Sequence, residues 1–393
     1  MVQNRENTLY TWLSAAAVFL ISFGVYLATV APTVAFWDCG EYTAAGESLG
    51  IPHPPGNPLF VLMMRVSSMF LSFFSDVGYR MNFAVALSSA LTAAVIFRII
   101  VEAGKLFMGE PGAAAKKPYQ QICLCVGGVV GGLFTAFGYT FWFSAVETSV
   151  YNISMLFIAL CTLLMLIWAR SKQPDRDKLL VLVAFLGFLG IGLHMYTMII
   201  FPPAFLFMIL WDKKKRTDWR LWGTGILMAA VIYSLSAFMV LGAITLVLTL
   251  AMSLCSKERK YEWRFCFFLA LFAIVGYSVH LLIPIRSGLE PMLNENHPAT
   301  WEAFVGFLER RQYGSESMIS RMFWRRGLWG SQFGVEEHMG FGGFHLTQFF
   351  RLNPADAAQS YFKGGLLGAV AGMGKLIVYL IPTAFMVYGW FYL

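Results

Sequence analysis

The chain has 393 residues, of which 58% are hydrophobic and only 13% charged, and its net charge is +7. Soluble globular domains carry roughly a quarter charged residues, so this composition excludes a chain that folds in water around one core. The basic balance does not point to nucleic acid, because Lys and Arg stand in short loops between apolar runs, the pattern left by the positive-inside bias.

About 20 apolar residues suffice to cross a bilayer. In chain order the sequence predicts crossings at 12–31, 82–104, 121–141, 150–169, 179–193, 195–211, 221–239, 240–255, 265–284 and 367–391. The fold class is therefore an all-α membrane protein with about ten transmembrane helices. The stretch 221–255 is too long for one helix and short for two. The first run follows a short polar start with Arg5 and Glu6. No small-residue cleavage site comes after it, so an uncleaved helix is expected. The six cysteines show neither a disulfide framework nor zinc spacing.

Charge orients the loops. The segments 105–120, 170–178, 212–220 and 256–264 are basic and read as cytoplasmic. The segments 32–57, 142–149 and the surroundings of residue 194 contain no Lys or Arg and read as external. The alternation holds only if 58–74 does not cross. That segment is short, and Arg65 stands at its centre, where a mid-bilayer position costs about 2.5–3.5 kcal/mol. It is expected to lie in the interface as a juxtamembrane helix, with Arg65 reaching water. The domain reading is a bundle over 1–284, with a first external loop at 32–57, and an external subdomain of short helices over 285–366. A final helix over 367–393 ends inside an apolar run, as in a fragment of a longer protein.

This topology gathers the unusual residues on one side. Asp38 and Glu41 are three apart, so a helix starting near Gly40 aims both carboxylates the same way. His53 opens the stiff turn HPPGNP, which sets the direction of the next helix. Glu147 lies between two apolar helices, with Tyr151 one turn on; an acidic residue there calls for a partner or a function. His194 falls between two further runs, with Tyr196 beside it, and Arg286 closes the 265–284 run. The Arg286 guanidinium fork suits phosphate oxygens. Carboxylates, His and Arg at a membrane edge suit transfer of a sugar from a polyprenyl phosphate. Arg would hold the leaving phosphate while a carboxylate takes the proton of the attacking hydroxyl. No nucleotide-binding phosphate loop, HExxH motif or Cys/His metal set is present. The external carboxylates could hold a divalent ion, but nothing in the sequence requires one and no cofactor is implied. The rival readings are a polytopic transporter or lipid-linked-sugar flippase, and a non-catalytic assembly protein.

Four motifs together are more specific: WDCGEYTAAGESLGIPHPPGNPL, FSAVETSVY, GLHMYTMIIFPP and IRSGLEPMLNENHPATWEAFVGFLERRQYG. Their combination resembles the GT-C superfamily of polytopic glycosyltransferases. Within it the chain is similar to the protein O-mannosyltransferase-like transmembrane family common in Bacteroidetes. The resemblance implies a GT-C-type bundle and inverting transfer from a polyprenyl-phosphate sugar; the sugar, expected to be mannose, and the acceptor, expected to be a protein or glycan, do not follow from it. It also implies a bacterial inner membrane, with the site facing the periplasm. Asp38 becomes the expected base, with Glu41 supporting it or touching the acceptor. His53, Glu147, Tyr151, His194 and Arg286 map to the family's external motifs. Arg310, Arg311, Gln312 and Tyr313 map to an RxQYG-like element. Cys39 stands where a small residue is expected.

Overall fold

The computed structural model describes residues 2–107 and 118–314, together with Ala384 and Tyr388. The predicted final helix over 367–391 and most of the external subdomain lie outside the described residues. The chain divides into two units, residues 1–136 with 143–323, and residues 137–142 with 324–393. Every candidate site residue falls in the first unit.

The helices run in the order α1 (Val2–Thr29), α2 (Cys39–Ser48), α3 (Pro58–Phe70), α4 (Val77–Phe107), α5 (Pro118–Ala136), α6 (Tyr139–Ala145), α7 (Val150–Arg170) and α8 (Lys178–Gly190). There follow α9 (Phe201–Trp211), α10 (Lys213–Arg216), α11 (Trp219–Met228), α12 (Ala230–Tyr233), α13 (Leu235–Cys255), α14 (Lys260–Tyr277), α15 (Leu282–Ser287) and α16 (Trp301–Leu308). No strand forms among the described residues, where one isolated parallel bridge joins Ile51 to Asn294.

Six helical stretches are long and apolar enough to cross a membrane among the described residues: Leu9–Thr29, Val77–Phe107, Tyr119–Ala136, Val150–Arg170, Ala237–Cys255 and Lys260–Ser287. Shorter apolar helices lie at Pro58–Phe70, Lys178–Gly190 and Met195–Trp211. The predicted 179–193 crossing is a 13-residue helix. The predicted 195–211 crossing opens as a 3₁₀ turn, Met195–Ile200, before α9. The predicted 221–239 crossing is broken at Ala229 and again at Ser234, which adopts an extended conformation and whose hydroxyl accepts from the Ala237 N–H, starting α13 afresh.

Between helices, short polar side chains bond across the contacts, as expected where apolar surface alone gives no drive to associate. Asn152 Nδ2 donates to Ser89 Oγ at 2.9 Å, joining α7 to α4. The Tyr26 hydroxyl donates to the Ala136 carbonyl at 2.8 Å, joining α1 to α5.

The two ends of the bundle separate chemically. At one end Glu102 accepts from Arg98, Lys105 and Arg170. Arg176 pairs with Asp212 at 2.7 Å, and Lys215 with Asp177 at 2.6 Å. All the basic loops of the sequence meet there except the part of 105–120 that is not described. At the other end, Asn82 Nδ2 donates to the carbonyls of Ala31 and Thr33, both at 2.9 Å. The Leu59 N–H donates to the Gly192 carbonyl, also at 2.9 Å. The start of α3 is thus tied near Gly192. Its end leads into α4, whose first turn is fixed where Thr33 bonds Asp76 at 2.8 Å. Both ends of α3 therefore sit at the same end of the bundle, and its 13 residues reach only about 20 Å.

Candidate active site

The site begins with the α2–α3 hairpin. Trp37 takes a left-handed conformation (φ 69°) and turns the chain sharply into α2 just ahead of Asp38. Pro58 starts α3 at a position where its missing N–H costs nothing. Between the helices Gly56 has φ 82°, and a Cβ there would stand 2.8 Å from the Phe307 ring, so only glycine fits.

Glu41 is spent on His53. The His53 main-chain N–H donates to Oε1 at 2.6 Å, and its ring Nδ1 donates to Oε2 at 2.6 Å. Burial pushes the Glu41 carboxyl up, but the bonds from His53 outweigh it and hold the carboxyl below its usual value. The Glu41 bond in turn raises His53, against its own burial. Ligand atoms of Asp38, Glu41 and His53 all lie within 4.8 Å of one another, and these donor types suit a divalent ion. Glu41 and His53 already satisfy each other, however, so a bound ion would have to displace that bond. The Asp38 side chain makes no capping bond to α2. No ion pair involving its carboxylate forms among the described residues.

Beneath this pair, Asn57 Nδ2 donates to the Tyr42 hydroxyl at 2.7 Å, and the Tyr42 ring centroid is 5.6 Å from that of His53. Asn57 and Tyr42 are both buried. Cys39 is buried between two carboxylates. Its thiol bonds Glu147 and feels Asp38, and burial first, then those charges, push it up to about 12. It is a neutral thiol. Burial likewise raises Glu147, while the Cys39 bond pulls it back in part. Glu147 is held in place by its loop: the Ala31 N–H donates to the Val146 carbonyl at 2.9 Å, and Thr148 Oγ1 bonds Asn82 Oδ1 at 2.6 Å.

Tyr151, His194 and Tyr196 form an aromatic group, with centroids 5.4 Å apart for Tyr151–His194 and 5.2 Å for His194–Tyr196. The Tyr196 hydroxyl donates to the Tyr151 carbonyl at 2.5 Å. His194 Nδ1 accepts from the Tyr196 N–H at 3.2 Å, which leaves its proton on Nε2. Burial, then the charges of Arg310 and His53, lower His194 to about 4, so it is neutral at pH 7.

The arginines divide. Arg286 Nε donates to the Leu49 carbonyl at 3.0 Å and its NH2 to the Ser48 carbonyl at 3.3 Å, so it caps the C-terminus of α2. The expected phosphate fork is directed at backbone. Arg311 pairs with Glu309 at 2.9 Å, and Gln312 bonds Asn296, both toward solvent. Arg310, at φ 56°, reaches back so that NH1 lies 3.2 Å from Met195 Sδ, with its guanidinium 4.7 Å from the Tyr313 ring centroid. The structure thus joins Asp38, Glu41 and His53; sets Glu147 beside Asp38 through Cys39; and places Arg310 against the segment that carries His194. Tyr42, Asn57 and Cys39 were not singled out from sequence as site residues. Only the partners brought in by other segments give them roles. Chemically, the end of the bundle offers an uncommitted carboxylate, a neutral imidazole donor and a guanidinium.

Residues 38–218 match the family described as Protein O-mannosyl-transferase TMEM260 N-terminal domain. The chain is similar to the Protein O-mannosyl-transferase TMEM260 of Mus musculus, 26% identical over 215 residues, which covers 52% of this chain and 28% of that protein. It is also similar to the Protein O-mannosyl-transferase tmem260 of Dictyostelium discoideum, 23% identical over 227 residues, covering 54% and 24%. The matched part spans about a quarter of each of these relatives. No solved structure matches the chain. Over residues 38–218 the chain is thus similar to the N-terminal domain of O-mannosyl-transferases of this kind.

Proposed function

We propose that the chain is a GT-C-type membrane glycosyltransferase. It would move a sugar, mannose by the names of its relatives, from a polyprenyl-phosphate donor to a hydroxyl of an acceptor protein. The observation that carries this reading is the division of labour between two adjacent carboxylates. Glu41 is locked to His53 through both oxygens, while Asp38 stands beside it uncommitted. Asp38 is the base: the acceptor oxygen attacks the anomeric carbon, its proton passes to Asp38, and the bond from that carbon to the phosphate oxygen breaks. The electron pair leaves with the phosphate, and the sugar carbon inverts. Phosphate is a good leaving group, so one carboxylate suffices where glycoside hydrolysis needs two. The neutral His194 and its tyrosines form one wall, and the amphiphilic donor keeps its tail in lipid. Basic loops at the opposite end of the bundle support an external site, periplasmic in a bacterial inner membrane.

Turnover of a polyprenyl-phosphate mannose by the reconstituted chain tests this reading. Asp38→Asn should lower transfer by about 10²–10⁴-fold, the range of general-base catalysis, with an unchanged melting temperature. Wild-type turnover in that variant would remove Asp38 as the base.

A further inference from the structure

Five arginines and no lysine stand at this end of the bundle among the described residues: Arg65, Arg80, Arg286, Arg310 and Arg311. Four are committed. Arg65 bonds the Glu47 carbonyl and pairs with its carboxylate at 3.4 Å. Arg80 Nε donates to the Phe74 carbonyl at 2.7 Å. Arg286 caps α2, and Arg311 grips Glu309 through two nitrogens. Arg310 differs. Its NH1 has only a thioether for an acceptor, its guanidinium lies against the Tyr313 ring, and its buried Nε–H has no acceptor among the described residues. A buried donor left without an acceptor costs about 1–3 kcal/mol, and more on a charged group. The left-handed backbone at Arg310 adds strain of a kind that gathers at ligand sites. The chain thus bears two local costs to hold an unneutralised cation against Met195, between His194 and Tyr196.

We propose that Arg310, rather than Arg286, receives the phosphate of the donor; this rests on the transfer reading above. The charge of Arg310 reaches His194, His53 and Tyr42, so the guanidinium faces both the aromatic wall and the acidic hairpin. A phosphate oxygen supplies the acceptor its Nε–H lacks, and the planar fork suits two such oxygens. The phosphate changes from a diester with one negative charge to a monoester with two as the anomeric bond breaks. Arg310 therefore holds the departing group more strongly than the bound donor, and lowers the barrier as well as binding.

The test uses the full chain in phosphatidylcholine liposomes, titrated with undecaprenyl phosphate and, separately, with its mannosyl ester. Arg310→Gln should weaken both ligands by about tenfold or more, the worth of one charge-assisted bond, at an unchanged melting temperature. Arg310→Met, which keeps the apolar stem without the charge, should do the same and serves if the glutamine variant fails to fold. Arg286→Gln should lower the melting temperature and leave both affinities as in the wild type. Wild-type affinity for undecaprenyl phosphate in either folded Arg310 variant would overturn the inference. So would a loss of affinity in Arg286→Gln at full stability. If the unaltered chain binds neither lipid, the transfer reading itself fails; if it binds both and the Arg310 variants bind equally, only the role of Arg310 does.

Discussion

The Glu41–His53 bond gives the site a defined pH window. Glu41 is lowered in the folded chain, so its contribution is full above its ordinary value of 4.5 and is lost as pH falls through the depressed one. His53 is raised, so its contribution is full below 6.5 and is lost as pH rises through the elevated value. The pair therefore anchors the hairpin best between these limits. Glu41→Gln should abolish the alkaline fall in kcat/KM that follows from His53 losing its proton; an unaltered alkaline limb would show that another group titrates there. His194 works in the opposite sense. Its folded value of about 4 lies below the ordinary 6.5, so the unfolded chain binds more protons between those values and stability falls on acidification through that range. Melting temperatures measured between about pH 7 and 4.5 should decline less steeply in His194→Gln than in the wild type. At this scale the sequence was informative where spacing within one segment decides. Asp38, Glu41 and a proline-stiffened His53 were legible together. Which arginine carries free charge was not, because that depends on the left-handed turn at Arg310 and on the pairing of Ile51 with the 293–295 loop. The role of Cys39 was not legible, because Glu147, its partner, comes from another loop.

Among the elements, α2 bears the site and is held from three sides. Gly46 lets it approach α3 and α4 so closely that a Cβ would stand 2.6 Å from Met64 Cβ and 3.1 Å from Met81 Sδ. Gly46→Val overfills that contact and should cost about 1–3 kcal/mol, read as a lower melting temperature with a parallel loss of transfer. Loss of transfer without loss of stability would mean that the contact tunes geometry rather than holding the fold. Arg286 is the second hold, through the α2 carbonyls. Arg286→Ala should destabilise on the order of 1–3 kcal/mol, through two charge-assisted bonds lost. The third is the 290s loop, where the Ile51 N–H donates to the Leu293 carbonyl at 2.8 Å and the Glu295 N–H to the Ile51 carbonyl at 3.0 Å. Hydropathy located these elements and their order. It did not locate the interruption between α11 and α13, because Ser234 breaks the helix through its own backbone and hydroxyl while its neighbours remain apolar.

For the whole molecule, apolar runs and loop charges gave an all-α bundle whose basic loops lie together, and the ion pairs at one end join those loops directly. Apolar composition does not distinguish a long helix from short ones joined end to end, as where the Met195–Ile200 turn runs into α9. The hold on α2 also has a consequence for how the chain can be divided. Arg286 and Leu293 come from far downstream, yet they complete a hairpin made by residues 38–70. A chain cut in the basic turn after Arg216 would separate the hairpin from its clasp, so neither piece should turn over substrate alone. Coexpressed, the two pieces should find each other in the bilayer and recover transfer, as split proteins do when a buried seam is intact. Recovery that survives Arg286→Ala in the second piece would show that the clasp is dispensable for reassembly.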